Sequence, residues 1–437
     1  MPKSNAPGFE TIAVHAGATP DPTTGARSTP IYQTASYVFE DAEEAASLFN
    51  LQKPGFLYSR LTNPTISVLE ERVAALEGGR GATATASGHA AQILALFPLM
   101  EPGREIVASK MLYGGSLNQM GHSYRKFGWS AVFVDPDEPK NFADAITDNT
   151  RAIFVENLAN PGGIVVDIEA VAKIARDADV PLIVDNTMAT PYLSRPIEWG
   201  ADIVVHSTTK FLSGNGSSLG GVVVDSGKFD WFKNAEKWPS LTEPAPEYHG
   251  LRFAETFGDL AYTIYGHVVG LRDLGACQQP FNAWVTLQGI ETLPLRMERH
   301  CANAMEVARF LEAHPLVEWV SYAGLESSPY KALAKKFLPA GAGAVFTFGV
   351  KGGFDVGVRV VESVEIISHL ANIGDTKSLI IHPASTTHRQ LTEEQQIACG
   401  AGPDVVRLSI GIETAADIIA DLDQALNAAS TMIAAAE

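Results

Sequence analysis

Between about residues 65 and 225, short β-branched runs alternate with segments of helical pattern. The runs predict buried strands, which are EIVAS (105–109), AVFVD (131–135), AIFVEN (152–157), LIVDN (182–186), IVVHS (203–207) and GVVVD (221–225). Between two of these strands, the segment 167–177 (DIEAVAKIARD) has apolar residues at helical spacing behind an acidic start. Continuous apolar strands separated by helices indicate an α/β fold with a mostly parallel sheet covered by helices on both faces.

The rest of the chain divides into segments with other patterns. Residues 1–62 are rich in Pro, Thr, Ser and Gly and predict an extended N-terminal arm, for which a neighbouring subunit is a natural packing partner. Residues 63–292 form the large α/β domain, interrupted at about 228–281 by what we interpret as a long surface excursion without strands. Residues 293–437 predict a smaller α+β domain, with elements at 296–313 (helix), 344–350 (strand), 406–410 (strand) and 414–435 (helix).

The predicted strands end in polar residues. In open α/β sheets, ligands bind at the carboxyl ends of the strands. The alternative is that the strands simply leave the core into polar loops. The residues at these ends are Asp135, Glu156, Asn157, Asp185, Asn186, His206 and Ser207.

The segment HSTTKFLSG (206–214) contains the strongest chemical signal. Lys210 follows a buried strand, and partial desolvation of a lysine lowers its pKa and favours a Schiff base with an aldehyde. The hydroxyls of Ser207 and Thr209 suit a phosphate oxygen. Asp185 ends the preceding strand, and a buried carboxylate there needs a cationic partner. The protonated ring nitrogen of pyridoxal phosphate is such a partner.

Further upstream, three motifs give weaker signals. Gly88 and His89 open an apolar helix, whose first backbone N–H groups suit a phosphate. Tyr113 precedes two glycines and suits stacking on a flat ring, although a tyrosine beside glycine is also common in turns. Tyr58 and Arg60 close the N-terminal arm, and an arginine there suits a phosphate.

Taken together, these motifs resemble those of the cysteine/methionine-metabolism family of pyridoxal-phosphate enzymes, which have fold type I. The resemblance runs in order from about residue 8 to the C-terminus. The motifs that carry it are YSRLTNPT, ASGHAA, YGG, ENLANPGG, VDNT, HSTTKFLSG, HPASTTH and VRLSIGIE.

The resemblance implies a role for each matching residue. Lys210 would hold pyridoxal 5'-phosphate and move protons, Asp185 would pair with the ring nitrogen, and Tyr113 would stack on the ring and assist proton transfer. The residues implied to bind the cofactor are Tyr58, Arg60, Gly88, His89, Tyr113, Asp185, Ser207, Thr209 and Lys210. Of these, Tyr58 and Arg60 would come from a partner subunit, and His89 would contribute only its backbone N–H.

The same resemblance implies a substrate site in which Arg407 binds the substrate carboxylate beside Asn160 and Asn372. Arg407 also has its own physical argument, because an arginine on a short apolar strand is unfavourable to bury unless a carboxylate meets it. No metal is expected, since His382 and His388 have no ligand-forming neighbours at suitable spacing.

The segment 228–281 and Asn372 resemble the branch of the family that acts on O-acetylhomoserine. The implied reaction joins O-acetyl-L-homoserine and sulfide, or methanethiol, to give L-homocysteine, or L-methionine, and acetate. Other activities in the family stay open: sulfhydrylation of the O-succinyl ester, cystathionine γ-synthesis and methionine γ-lysis. A non-catalytic scaffold is a further alternative, disfavoured because it needs neither Lys210 nor Asp185.

The amino-acid composition limits the classes of binding partner and the cellular location that we expect. Thirty-two basic and fifty acidic residues give a net charge of −18, which disfavours binding to nucleic acid or anionic membranes. The scattered cysteines Cys277, Cys301 and Cys399 favour a reducing compartment, and the N-terminus lacks the apolar core of a secretion signal, so a cytoplasmic location is expected. The uncharged stretch 81–100 contains several polar residues, and we interpret it as a loop entering a buried helix rather than a membrane span.

Family resemblance favours a homotetramer built from dimers that share their active sites.

Overall fold

The computed structural model describes residues 7–160, 163–387, 389–390, 392–398 and 400–436. His388 and Cys399, both considered above, lie outside these ranges. The strands are β1 Gly81–Thr85, β2 Glu105–Ser109, β3 Ser130–Val134, β4 Thr150–Glu156, β5 Leu182–Asp185, β6 Ile203–His206, β7 Gly221–Asp225, β8 Val317–Ser321, β9 Val345–Val350, β10 Ser368–His369, β11 Leu379–Ile381 and β12 Val405–Ser409.

Helices cover both faces of the larger sheet and pack against the smaller one. The α-helices are α1 Phe9–His15, α2 Ala42–Phe49, α3 Pro64–Glu77, α4 Gly88–Leu96, α5 Gly114–Gly121, α6 Lys140–Ala145, α7 Ile168–Asp177, α8 Thr190–Leu193, α9 Pro239–Thr242, α10 Phe253–Phe257, α11 Ala261–Tyr265, α12 Arg272–Leu274, α13 Pro280–Glu291, α14 Leu293–Ala313, α15 Lys331–Phe337, α16 Gly353–Ser363, α17 Glu393–Ala398 and α18 Ala415–Ala436. No helix among the described residues is long and apolar enough to cross a lipid bilayer.

Within the described residues, the larger sheet has seven strands in the order β1-β7-β6-β5-β4-β2-β3. The five strands from β6 to β3 are parallel, whereas β7 is antiparallel to both of its neighbours. A second sheet has the order β10-β11-β12-β9-β8. The predicted α/β fold with a mostly parallel sheet is therefore confirmed, and each predicted strand and helix has a counterpart whose ends differ by a few residues at most.

The parallel strands are apolar on both sides because each face of the sheet meets its own core. In β4, Ile153 and Val155 pack into one cluster of buried residues, whereas Ala152 and Phe154 pack into the other. Adjacent residues of a strand point to opposite faces, so every position of β4 is buried. This double burial explains why the strands have continuous apolar runs in the sequence.

Two expectations from the sequence were wrong. The start of the stretch 81–100 is a strand, β1, which pairs antiparallel with β7. Its sequence, GATAT, lacks the large apolar residues that typify strands, and its partner lies far along the chain. The segment 228–281 is not a surface excursion: Trp238, Leu241 and Phe253 are almost fully buried and complete the core on one face of the sheet.

Candidate active site

The candidate site lies where β4, β5 and β6 end. Glu156 and Asp185 are register partners on adjacent parallel strands, so their side chains lie on the same face of the sheet. Ser207, directly after β6, lies on this face too, and α4 and α5 cover it. Alternation sends the intervening residues, Asn186 and His206, to the opposite face. Because side chains alternate between the two faces of a strand, a residue that faces the site is followed or preceded by one that supports it from behind.

The supporting residues form a buried network behind the strand ends. Asn186 accepts a hydrogen bond from Asn157 Nδ2 at 3.0 Å and donates one to Glu77 Oε1 at 2.8 Å. His206 Nε2 lies 2.6 Å from the same Glu77 oxygen, and both side chains are inaccessible to solvent. Asn157, Asn186 and His206 each precede or follow a residue that faces the site, and Glu77 of α3 connects two of them. The network therefore fixes the relative positions of the three strand ends.

Lys210 lies in the turn after β6, and its Nζ is 2.5 Å from Asn372 Oδ1. Burial, and secondly the positive charge of Arg407, lower the pKa of the Lys210 amine to about 8. Roughly a tenth of the amine population is then neutral at pH 7, far more than for a lysine with its ordinary pKa of 10.5. A neutral, accessible amine is what addition to an aldehyde requires.

Arg407 projects from β12 of the smaller sheet and is only 7% exposed. Its Nη1 donates to Asn160 Oδ1 at 3.2 Å, and its Nη2 donates to the Asn372 carbonyl at 3.4 Å. Burial lowers the pKa of the guanidinium to about 10. None of the ion pairs among the described residues involves Arg407. The guanidinium is therefore buried with neutral partners, an arrangement that suits a carboxylate supplied by a ligand.

Asp185 is held at the end of β5 by neutral donors. Gln92 Nε2 of α4 donates to Oδ2 at 3.3 Å, and the Thr187 backbone N–H donates to Oδ1 at 3.0 Å. The ion pairs between described residues do not include Asp185 either. Neutral donors thus orient the carboxylate, and it has no cationic partner in an ion pair. A protonated ring nitrogen of a cofactor would supply that partner.

A candidate phosphate cradle lies where α4 begins. Ser87 caps the helix, and its Oγ accepts a hydrogen bond from the Ala90 N–H at 3.1 Å. A side chain at Gly88 would place a Cβ 2.7 Å from Ser207 Cβ, so only glycine allows this close approach. The structure therefore brings together Gly88 and Ser207, which the sequence separates by more than a hundred residues. Free N–H groups at a helix start favour an anion here.

Thr209 lies beside this cradle and Lys210. Its Oγ1 accepts from the Gly220 N–H at 3.1 Å and lies 3.3 Å from the carbonyl of the same residue. A cavity of about 340 Å³ opens next to it. The residues that line the cavity are Thr209, Lys210, Gly216, Ser217, Ser218, Leu219, Ala371 and Asn372.

Tyr113 caps α5 and exposes its ring, which lies 5.9 Å from the His89 ring with an angle of 30° between their planes. Burial lowers the pKa of His89, which also senses the opposing charges of Asp185 and Lys210. The His89 side chain thus lies in the site, although the sequence suggested a role for its backbone alone. Two neighbouring rings tilted by only 30° suit contact with a planar ligand.

Tyr58 and Arg60 have their contacts elsewhere in the chain. Arg60 Nη1 donates to the Arg272 carbonyl at 2.5 Å, and its guanidinium lies 5.4 Å from the centre of the Tyr58 ring. Both residues belong to the arm, much of which is exposed. His382, considered above as a metal ligand, bonds the Pro403 carbonyl through Nε2 at 2.8 Å.

Sequence reasoning assigned no specific role to three residues that shape the site. Gln92 and Thr187 orient Asp185, and Thr187 Oγ1 also accepts from the Ser207 N–H at 2.8 Å. Glu156 accepts from the backbone of Tyr113. Signals existed for two of them, since Gln92 interrupts an apolar helix and Glu156 belongs to the polar strand ends.

These observations define a class of enzyme. The Lys210 amine, the Asp185 carboxylate and the close approach at Gly88 fit the aldehyde, the ring nitrogen and the phosphate of pyridoxal 5'-phosphate, respectively. Residues 10–427 match the family described as "Cys/Met metabolism PLP-dependent enzyme". The chain belongs to this family.

Relatives in this family cover nearly the whole chain. An O-acetyl-L-homoserine sulfhydrylase of Leptospira meyeri is 52% identical over 98% of both chains. A homocysteine synthase of Schizosaccharomyces pombe is 50% identical over 96% of this chain and 98% of its own. A crystal structure of a Campylobacter jejuni protein, titled a putative O-acetylhomoserine (thiol)-lyase with N'-pyridoxyl-lysine-5'-monophosphate, matches with a TM-score of 0.93 and 41% identity. It covers 96% of this chain and 99% of its own, and the fold-type-I prediction is thereby confirmed.

Proposed function

We propose that this protein catalyses the reaction of O-acetyl-L-homoserine with sulfide to give L-homocysteine and acetate. Methanethiol would give L-methionine in the same way. The observation that carries the proposal is Arg407, buried without an anionic partner and linked through Asn372 to the Lys210 amine. The names of relatives at 45–52% identity support the choice of substrate.

The smaller sheet would supply the main substrate-binding residue. Arg407 would pair with the α-carboxylate of the amino-acid ester through its guanidinium, and Asn160 would hold that guanidinium in orientation. This pairing would place the substrate amino group and Cα near Lys210, because Asn372 contacts both cationic residues. The ester side chain would then extend toward the cavity beside Lys210.

Pyridoxal 5'-phosphate would be held by residues of the larger sheet, with Tyr58 and Arg60 contributed by a partner subunit. When bound, it supplies an electron sink that stabilises negative charge at carbon. The residues proposed to hold it are Lys210, Asp185, Tyr113, Gly88, His89, Ser207 and Thr209.

Lys210 would move the protons of the reaction. Its neutral Nζ would take a proton from Cα and pass it to the bound cofactor, so that the amine is neutral again and can take a second proton from Cβ. The protons would return by the reverse transfers after sulfide has added. The Cγ–O bond breaks and acetate leaves with its electron pair. Hydrosulfide then forms the new Cγ–S bond, so charge and atoms balance. Asn372 would orient the amine between these steps, and Tyr113 would assist at the open side of the site.

The N-terminal arm is the basis of our proposal for how the subunits assemble. We propose a homotetramer made of dimers, in which the arm of each chain completes the site of its partner. Support comes from the exposed Tyr58 ring and from Arg60, whose guanidinium lies over that ring and bonds the Arg272 carbonyl instead of the cofactor site of its own chain. We also propose the domain division at residues 62/63 and 292/293, where the helices α3 and α14 begin within a residue of each boundary.

Charge and cysteine content support the remaining proposals. With a net charge of −18, the protein would bind small molecules rather than nucleic acid or membranes. Three scattered cysteines suit the cytoplasm.

A matrix of esters and thiols tests the function. O-Acetylhomoserine and O-succinylhomoserine would each be offered with sulfide, methanethiol, cysteine or no thiol, and thioether, thiol and keto-acid products measured. We expect highest kcat/KM for the acetyl ester with sulfide or methanethiol. Preference for the succinyl ester, cystathionine formation, or keto acid without thiol would each replace the proposal by another activity of the family.

Covalent attachment tests the lysine assignment. Borohydride reduction followed by peptide mass spectrometry should find the pyridoxyl group on Lys210 in the wild-type protein. Lys210→Ala should remove the label and lower kcat about 100-fold or more. Lys173→Ala, at an exposed lysine paired with Asp177, is the control that should change neither.

A further inference from the structure

Glu156 is a buried carboxyl group that the reaction proposed above does not use. It ends β4, is 4% exposed, and belongs to none of the ion pairs between described residues. Burial, and secondly the neighbouring Asp185 carboxylate, raise its pKa. An acidic group in such surroundings is unfavourable for stability, so its two contacts need an explanation.

Each oxygen of Glu156 accepts one backbone hydrogen bond from a different loop. Oε1 lies 2.6 Å from the Tyr113 nitrogen, in the loop between β2 and α5. Oε2 lies 3.0 Å from the Asn160 nitrogen, in the loop after β4. The carboxyl group therefore joins the backbones of two loops that follow different strands of the sheet.

The two loops contact different ligands under the proposed function. Tyr113 carries the ring that faces His89 and the cofactor site. Asn160 holds Arg407 through its side-chain oxygen at 3.2 Å. A displacement of either backbone would be transmitted directly to a ligand-binding side chain.

We propose that Glu156 is a positioning residue that fixes the Tyr113 ring and the Asn160–Arg407 pair relative to each other. It would thereby set the distance between the cofactor ring and the substrate carboxylate. The inference rests on the proposed function for its substrate part only. The geometry at Tyr113 can be tested without any turnover.

Glu156→Gln is the informative variant, because an amide offers one acceptor oxygen where two N–H groups need one each. The loss of one buried hydrogen bond should raise KM for the amino-acid ester and Kd for pyridoxal phosphate about tenfold each. KM for sulfide should stay within about twofold, since no contact of Glu156 leads to the thiol. The circular dichroism of the bound cofactor should change as the Tyr113 ring shifts.

Asp421→Asn is a matched control in the smaller domain. Asp421 is 4% exposed and accepts backbone hydrogen bonds from Glu365, Ile366 and Ile367 at 2.7–2.9 Å. This variant should lose stability while leaving both KM values, the cofactor Kd and the dichroism unchanged. A Glu156→Gln protein that behaves like this control would overturn the proposal.

If Glu156→Gln does not give folded protein, Glu156→Asp keeps the charge and shortens the reach by one methylene. Amide hydrogen exchange at Tyr113 and Asn160 should then quicken, and KM for the ester should rise. Unchanged exchange at both amides would contradict the positioning role. If the wild-type protein fails to use acylhomoserine, the proposed function falls, whereas the Kd and dichroism measurements still test Glu156.

Discussion

Lys210 Nζ lies 2.5 Å from Asn372 Oδ1, which joins the amine of the larger sheet to a loop of the smaller domain. The backbone carbonyl of Asn372 accepts from Arg407 Nη2. One residue therefore uses its side chain for the proton-carrying group and its main chain for the carboxylate-binding group. This separation makes the two functions of Asn372 distinguishable by mutation.

Asn372→Ala removes the acceptor of Lys210 but keeps the carbonyl that holds Arg407. We expect kcat to fall about 10- to 100-fold, because a hydrogen bond to a charged group is worth roughly 1.5–3 kcal/mol, while KM for the ester changes much less. Steady-state kinetics measure both. Asn427→Ala, at an exposed asparagine bonded to Asp423, is the control. A rise in KM with unchanged kcat would contradict this division of roles.

Arg407→Lys keeps the charge but loses the planar, two-pronged geometry. KM for the ester should rise about 10- to 100-fold from the loss of paired hydrogen bonds, and KM for sulfide should stay nearly constant. Arg72→Lys is a matched control at another buried arginine, which bonds the Ala16 carbonyl and Glu291. Equal effects on both substrates would argue against carboxylate binding at Arg407.

The lowered pKa of Lys210 predicts that the free energy of unfolding of the cofactor-free protein depends on pH. Its pKa of about 8 in the folded state lies below the 10.5 of a free lysine, so the unfolded state binds more protons between these values. Stability should therefore rise with pH through this window relative to a Lys210→Met variant. At pH 7 the variant should be more stable by up to ~3 kcal/mol. Denaturant unfolding at pH 7 and 9.5 measures the difference, and a constant difference would show that the amine is not desolvated.

Gly88→Ala adds a Cβ that meets Ser207 at 2.7 Å. The cradle must then widen, and Kd for pyridoxal phosphate should increase about tenfold through lost hydrogen bonds. Gly121→Ala, whose Cβ would meet Phe133 at an ordinary 3.6 Å, is the control. Titration of the cofactor-free proteins by absorbance gives both constants. Unaltered affinity in Gly88→Ala would place the phosphate elsewhere.

Arg60→Ala and Lys210→Ala subunits test whether sites are shared. Each variant alone should be nearly inactive. Mixed assemblies should regain activity, because some sites then combine an intact arm from one chain with an intact lysine from the other. Subunit exchange would be verified by native mass spectrometry of tagged chains. Exchange without recovery would mean that Arg60 serves its own chain.

Much of the larger sheet could be predicted because its signal is local. The strands β2 and β5 bury both faces, so apolar runs mark them directly in the sequence. Strand β1 escaped prediction, because GATAT is defined by its pairing with β7 and not by its own residues. The burial of 228–281 escaped because its short helices have no clear periodicity, and their packing against the larger sheet is visible only in the fold.

The sequence by itself determined the α/β architecture, the lysine-containing turn and the polar ends of the strands, because alternation and composition act over a few residues. Tertiary structure alone decided that Asn372 contacts both Lys210 and Arg407, and that Glu156 joins two loops. Lys210 and Asn372 are 162 residues apart, and their distance depends on how the two domains pack. Glu156 and Tyr113 are 43 residues apart and meet only because their strands pair through the sheet. No local pattern encodes such a distance.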